Sequence, residues 1–154
     1  MDAYERSNRA RENFLAGYNC AQSVALAFSD LFEERGISRE LLAQMISGFG
    51  GGMGRLREMC GAVSASIMVL GLCQGYSDPA DYEAKSELYA KVQEVAGRFR
   101  GECGSYLCRE LLGLGEGPDV PVPERRGDAY YASRPCQELC ATGARIISEY
   151  LGGI

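Results

Sequence analysis

Apolar residues recur at three- and four-residue spacing along most of the chain, a period that predicts helices. The clearest case is "NCAQSVALAFSDLFEERG". Val24, Leu26, Ala27, Phe28, Leu31 and Phe32 form a broad apolar face, Asn19 is a good N-cap and Gly36 a stop. An earlier helix over "DAYERSNRARENFLAG" ends near Gly17, and Ser38 caps a third over "RELLAQMIS". "MCGAVSASIMVLGLCQG" is apolar nearly all round, which predicts a central buried helix. "SDPADYEAKSELYAKVQEVAGRFRG" should be the longest helix, with Asp78 as N-cap and Pro79 at its first position. Ser105 caps a short helix, "YLCRELLG", and Pro135 opens the last, "RPCQELCATGARIISEYLGG".

Two stretches break the pattern. "GFGGGMGRLREMCGA", Gly48 to Ala62, holds six glycines in fifteen residues. "LGEGPDVPVPERRGDAYYAS" is rich in Gly, Pro and charge and reads as a long surface loop, suited to a lid or a partner surface. The prolines of "VPVP" argue against a strand there, and no other alternation suggests one. No repeat or linker divides residues 1–154. The chain is expected to be a single all-α domain, a bundle of about six or seven helices with a glycine-rich loop and a long surface loop.

Charge narrows the function. The net charge is −5 and the pI about 4.9, with basic residues scattered among acids, which excludes a nucleic-acid footprint and an anionic-membrane patch. The longest apolar run, "VSASIMVLGLC", is too short for membrane insertion. The charged start "MDAYERSNRAREN" has no signal-peptide core, so a cytoplasmic location is expected, where thiols stay reduced. Seven cysteines are then notable, and their odd number argues against a static disulfide framework. Histidine is absent, which excludes Ser-His-Asp and Cys-His catalysis, imidazole-bound zinc and c-type haem attachment.

Cys20, Cys60, Cys108 and Cys136 all fall at or near predicted helix starts. Free N–H groups and the positive end of the helix dipole favour thiolate there, and thiolate is both the nucleophile of disulfide exchange and the ligand for soft metals. Arg57, Arg109 and Arg134 would add to this if they point inward. Cys73 is expected in the core and Cys103 in an exposed turn. Cys140 lies one turn beyond Cys136 on the same face, placed to pair with it or to join a ligand set. The bland alternative is that these cysteines simply pack as small apolar residues. CxxC is absent, and so is the Walker pattern, which makes a phosphate loop a weak reading of the glycines. A tight backbone wrap that brings Cys60 towards other groups explains them better.

The ordered landmarks "GYNCAQSV", "GFGGGMG", "CGAVSA", "CRELLG" and "CQEL" run from Gly17 to Leu139, and in this the chain resembles the C_GCAxxG_C_C family. Carried onto this sequence, the family's cysteines are Cys20, Cys60, Cys108 and Cys136. One departure is that the closing glycine of CGAxxG is Ala65. The family's redox label rests on its cysteines and names no substrate. The first reading is thiol–disulfide chemistry or electron transfer with an unknown redox partner, in which two of the four cysteines cycle; Cys60 is expected to be one of them, because the glycine loop gives it backbone donors and access. An all-cysteine iron–sulfur or zinc site on the same four residues is the alternative, and a non-catalytic helical module, with apolar faces that allow a homodimer, is the third.

Overall fold

The computed structural model describes all 154 residues as nine right-handed helices with no strand. Six of the helices have seven or more residues, matching the expected bundle, and the other three are short. Helix α1 (Ala3–Leu15) starts with a capping box: Asp2 accepts from the Glu5 N–H, and the Glu5 carboxylate accepts from the Asp2 N–H. Asn19 and Gln22 repeat the device at α2 (Cys20–Leu26), and Ser38 caps α4 (Arg39–Ile46) as expected.

One long helix from Asn19 to Gly36 does not form. The chain kinks at Ala27–Phe28, and α3 (Ser29–Glu33) resumes beyond it. Two arginines from other elements take the freed carbonyls: Arg6 Nη1 donates to Ala27 O at 2.8 Å and Arg39 Nη1 to Leu26 O at 3.1 Å. Arg6 is 1% exposed, ion-paired with Asp30, bonded to Ile154 O at 3.1 Å, and stacked 4.6 Å over the Phe28 ring. Its removal would strand several buried acceptors at once. Arg6→Ala is expected to cost about 1–3 kcal/mol, the usual loss when a buried acceptor such as Ala27 O is left without its donor, read as a lowered urea midpoint. A loss below about 1 kcal/mol, the surface-pair value, would overturn this account of the kink.

Helix α5 (Gly61–Gln74) is buried through its first two and a half turns and packs against α2, α6 and α9. Its last turn projects past the core, so Cys73 is exposed rather than a core residue. Helix α6 (Tyr82–Cys103, 22 residues) is the longest, but it starts later than Pro79. Asp81 caps it by accepting from the Ala84 N–H at 2.9 Å, while Asp78 instead closes a preceding turn onto the Ala80 N–H. Helices α7 (Cys108–Leu111), α8 (Asp128–Ser133) and α9 (Cys136–Tyr150) complete the chain. A single core cluster of 25 buried residues runs from Ala10 to Ile147, with α1 lying along α9 and α2 inserted among α1, α4, α5 and α9. No helix is long and apolar enough to cross a membrane.

A thiol pocket at four helix starts

The glycine stretch folds as a left-handed turn. Gly51, Gly52, Met53, Gly54, Arg55 and Arg57 all have positive φ, and the Gly54 N–H closes the turn onto Gly50 O at 2.9 Å. Three of these are not glycine, and each costs about 1–2 kcal/mol in that region. Strain of this kind concentrates where a site needs it. Here it turns Arg55 and Arg57 onto one carboxylate, Asp119 of the long loop, with N–O distances of 3.3 and 3.1 Å.

Past the turn, residues 58–60 run antiparallel to residues 106–108. Cys60 N–H donates to Tyr106 O at 2.8 Å and Cys108 N–H to Glu58 O at 2.6 Å, around the pair Met59 and Leu107. This two-bond ladder delays α7 until Cys108. Ser105, expected as a cap, instead accepts from the Leu107 N–H at 3.0 Å and donates to Glu110. The ladder also sets Cys60 and Cys108 on one side of the paired segment, because residues flanking a paired residue point to the same face.

Each candidate cysteine stands at a helix start: Cys20, Cys108 and Cys136 are the first residues of α2, α7 and α9, and Cys60 is the residue before α5. All four line one cavity of about 70 Å³, together with Arg57, Arg126, Arg134 and Tyr130. Organic ligands usually fill clefts of about 300–1,000 Å³. This space instead admits a small inorganic species or the reactive end of a larger reagent. All seven cysteines are free thiols.

Glycine makes the convergence possible at Gly61. A Cβ there would lie 2.5 Å from Cys20 Sγ and 2.9 Å from Ala21 N, so only a bare backbone lets α5 begin against the Cys20 sulfur. The backbone N–H groups of Gly51, Ala21 and Gly61 favour the Cys20 thiolate. The glycine turn therefore serves Cys20 directly as well as leading to Cys60.

The expected thiolate-favouring balance does not hold at Cys20, Cys60 or Cys136. Burial is the largest influence on Cys20, Cys60 and Cys136, and it raises all three, Cys136 to about 12. Helix-start N–H groups oppose this at Cys20 without overcoming it, and each thiolate would also repel its neighbours. Cys108 has a different neighbour: the Arg57 guanidinium, 5% exposed, donates to its sulfur at 3.5 Å. Of the other arginines, Arg134 lines the cavity, while Arg109 pairs with Glu58 at 2.5 Å away from it. Cys140, buried behind the pocket, donates to Cys20 O at 3.6 Å, and Cys103 is half-buried in its turn.

The sequence reading missed Arg126, Asp119 and the paired tyrosines as parts of this site. Arg126 stacks on Phe14 and Tyr130 at 4.1 and 4.8 Å, and Tyr130 and Tyr131 hold α8 against Phe14. The only signal was the "RRGDAYY" run of cations and aromatics. No three Cys, Asp or Glu side chains are drawn together so as to hold a metal ion, and the cavity lining offers three guanidinium groups and no carboxylate.

The structure is thus an all-α fold that gathers four cysteines at helix starts around one small cavity lined by arginines. The chain belongs to the C_GCAxxG_C_C family, described as "Putative redox-active protein (C_GCAxxG_C_C)", whose profile matches residues 18–150. The family supports a redox role. Ala65, where the family motif closes on glycine, is fully buried in α5. No curated protein and no solved structure matches the chain.

Proposed function

We propose that the protein carries out reversible thiol–disulfide chemistry in this pocket, with Cys20 and Cys60 as the cycling pair. The observation that carries the reading is the convergence of four helix-start cysteines, from segments far apart in the chain, on one small cavity lined by cations. Cys20 is the attacking thiol: it is only half-buried, and three backbone N–H groups favour its thiolate against burial. Cys60 is the resolving thiol. It is 5% exposed, and burial holds its proton on.

The Cys20 thiolate attacks an electrophilic sulfur of an oxidised disulfide, forming a mixed disulfide and releasing one thiolate. Cys60 then gives up its proton and attacks Cys20 Sγ, releasing the second thiolate and leaving a Cys20–Cys60 disulfide. Two electrons pass from the two thiols to the oxidant, and an external dithiol reverses the sequence. Cys108, beside Arg57, and Cys136 complete the pocket and set its electrostatics.

The test is titration with a disulfide such as oxidised dithiothreitol, followed by peptide mapping, on protein purified anaerobically and assayed for metals. Two thiols should be lost and recovered, mapping to Cys20 and Cys60, and Cys60→Ser should abolish the reversible step with the helical spectrum unchanged. Stoichiometric iron or zinc with all four thiols protected would replace this reading with the ligand-set alternative. A titration unchanged in Cys60→Ser would remove Cys60 from the pair.

A further inference from the structure

Of the three arginines lining the thiol cavity, two have carboxylate partners: Arg57 shares Asp119 with Arg55, and Arg134 pairs with Glu124. Arg126 has no carboxylate partner. It is half-buried, and it donates through Nη1 to Phe14 O at 3.0 Å and through Nη2 to Tyr18 O at 3.1 Å. A guanidinium carries five N–H donors, so the other three meet no protein acceptor. The ring faces of Phe14 and Tyr130 fix its plane, leaving a rigid, partly desolvated cation whose charge nothing in the protein balances.

Its position gives that charge a use. A second cleft of about 280 Å³, lined by Arg55, Pro121 and Pro123, shares Asn19, Gly51, Arg126 and Tyr130 with the thiol cavity. Arg126 thus stands in the wall common to an outer cleft and the thiols. Glu124, the one acid of the outer cleft, is already engaged by Arg134. Arg126 also faces Cys136 closely enough to favour its thiolate.

We propose that Arg126 is the anion-recognition residue of the thiol site, so that the pocket takes small electrophiles carrying a negative charge in preference to neutral ones of the same size. The proposal rests on the thiol-redox reading above and adds the substrate class. A charged group on the oxidant binds Arg126 while its electrophilic atom reaches a sulfur. The thiolate then forms the new bond, and the leaving group departs with the electron pair. One-signed clefts raise local anion concentration and on-rates by about 10–1,000-fold.

Two alkylating probes of similar size, iodoacetate and neutral iodoacetamide, read this directly. Each forms an S–C bond and expels iodide. The ratio of their rates at Cys20 and Cys136 is measured by peptide mapping and compared with the same cysteines in urea. In the folded protein the iodoacetate-to-iodoacetamide ratio is expected to exceed the unfolded value by about tenfold, the lower end of the steering range. Arg126→Gln should return it to the unfolded value, and Arg126→Lys should keep most of it. Inorganic phosphate should slow iodoacetate but not iodoacetamide on the wild-type protein, which holds the test even if Arg126→Gln does not fold. A folded ratio equal to that in urea, or one indifferent to phosphate, would overturn the proposal. Alkylation needs no disulfide: an ordinary ratio with intact Cys20–Cys60 cycling removes only the anion preference, whereas a raised ratio with no cycling removes only the redox pair.

Discussion

Alanine at Gly61 is expected to take the thiol site apart while leaving most of the helical content in place. Gly61 opens α5, and a glycine-to-alanine change within a helix ordinarily stabilises by about 0.5–1 kcal/mol. Here the new methyl group would lie 2.5 Å from Cys20 Sγ, 2.9 Å from Ala21 N and 3.0 Å from Phe49 O. Cys20 can rotate away, but the two backbone atoms cannot, so the start of α5 must shift relative to α2. Overpacking of this kind costs about 1–3 kcal/mol, which reverses the sign of the helix gain. Gly97, mid-way along α6, is the control: a Cβ there meets nothing within 4 Å, and Gly97→Ala should stabilise by up to about 1 kcal/mol. Urea midpoints of the two variants should therefore move in opposite directions, and only Gly61→Ala should lose reversible oxidation of Cys20. A Gly61→Ala protein as stable as Gly97→Ala, with Cys20 still cycling, would show that close approach at this point is dispensable.

The contrast between those two glycines shows what a sequence can carry about this fold. Helix positions follow from local periodicity and caps, so Asn19, Ser38 and Pro135 mark observed helix starts. The placement of Cys20, Cys60 and Cys136 follows from the same local signals, whereas Cys108 becomes the first residue of α7 only through pairing with residues 58–60. What fails is whatever depends on a group from elsewhere in the chain. The kink after α2 is set by Arg6 and Arg39, more than ten residues away on either side, and their polar character hides their burial. The delay of α7 is set by a ladder whose two strands lie about fifty residues apart, and a bridge of one residue pair has no alternation to detect. Arg126 reads as one cation among many until Phe14 and Tyr130 close on it.

The thiolate expectation failed for an energetic reason rather than a positional one. Helix starts do supply N–H groups, and those of Ala21 and Gly61, in the first turns of α2 and α5, favour the Cys20 thiolate. Depth of burial decides the balance, and no local pattern encodes it. In this water-poor cavity burial penalises the thiolates of Cys20, Cys60 and Cys136, and any neighbouring thiolate would add repulsion. Cys20, Cys60 and Cys136 are consequently held as protonated thiols, and at Cys20 three backbone N–H groups oppose burial.

The same balance predicts that the reduced protein loses stability as pH rises above about 9. Burial raises Cys20, Cys60, Cys136 and Cys140 in the folded state. A folded state that holds its protons more tightly than the unfolded chain is favoured wherever both are protonated. It loses that advantage once the unfolded thiols ionise. For Cys136 the window opens at its ordinary value of 9.0 and closes at about 12. Across that window the unfolded chain binds fewer protons, so unfolding becomes steadily easier with pH. By about pH 10.5 the Cys136 contribution alone should reach about 2 kcal/mol, at 1.36 kcal/mol per unit. Urea midpoints should be flat in this respect from pH 7 to 8.5 and then fall. Lysines and tyrosines titrate in the same range, so the diagnostic quantity is the difference between wild type and Cys136→Ser. Removing the thiol should flatten the slope above pH 9 and leave the slope below it untouched. Oxidising the proposed Cys20–Cys60 pair should flatten it further by withdrawing two more titrating groups. Parallel curves for wild type and Cys136→Ser would mean that the Cys136 sulfur is hydrated and already free to ionise, and the description of Cys136 as a protonated thiol in a water-poor cavity would have to be abandoned.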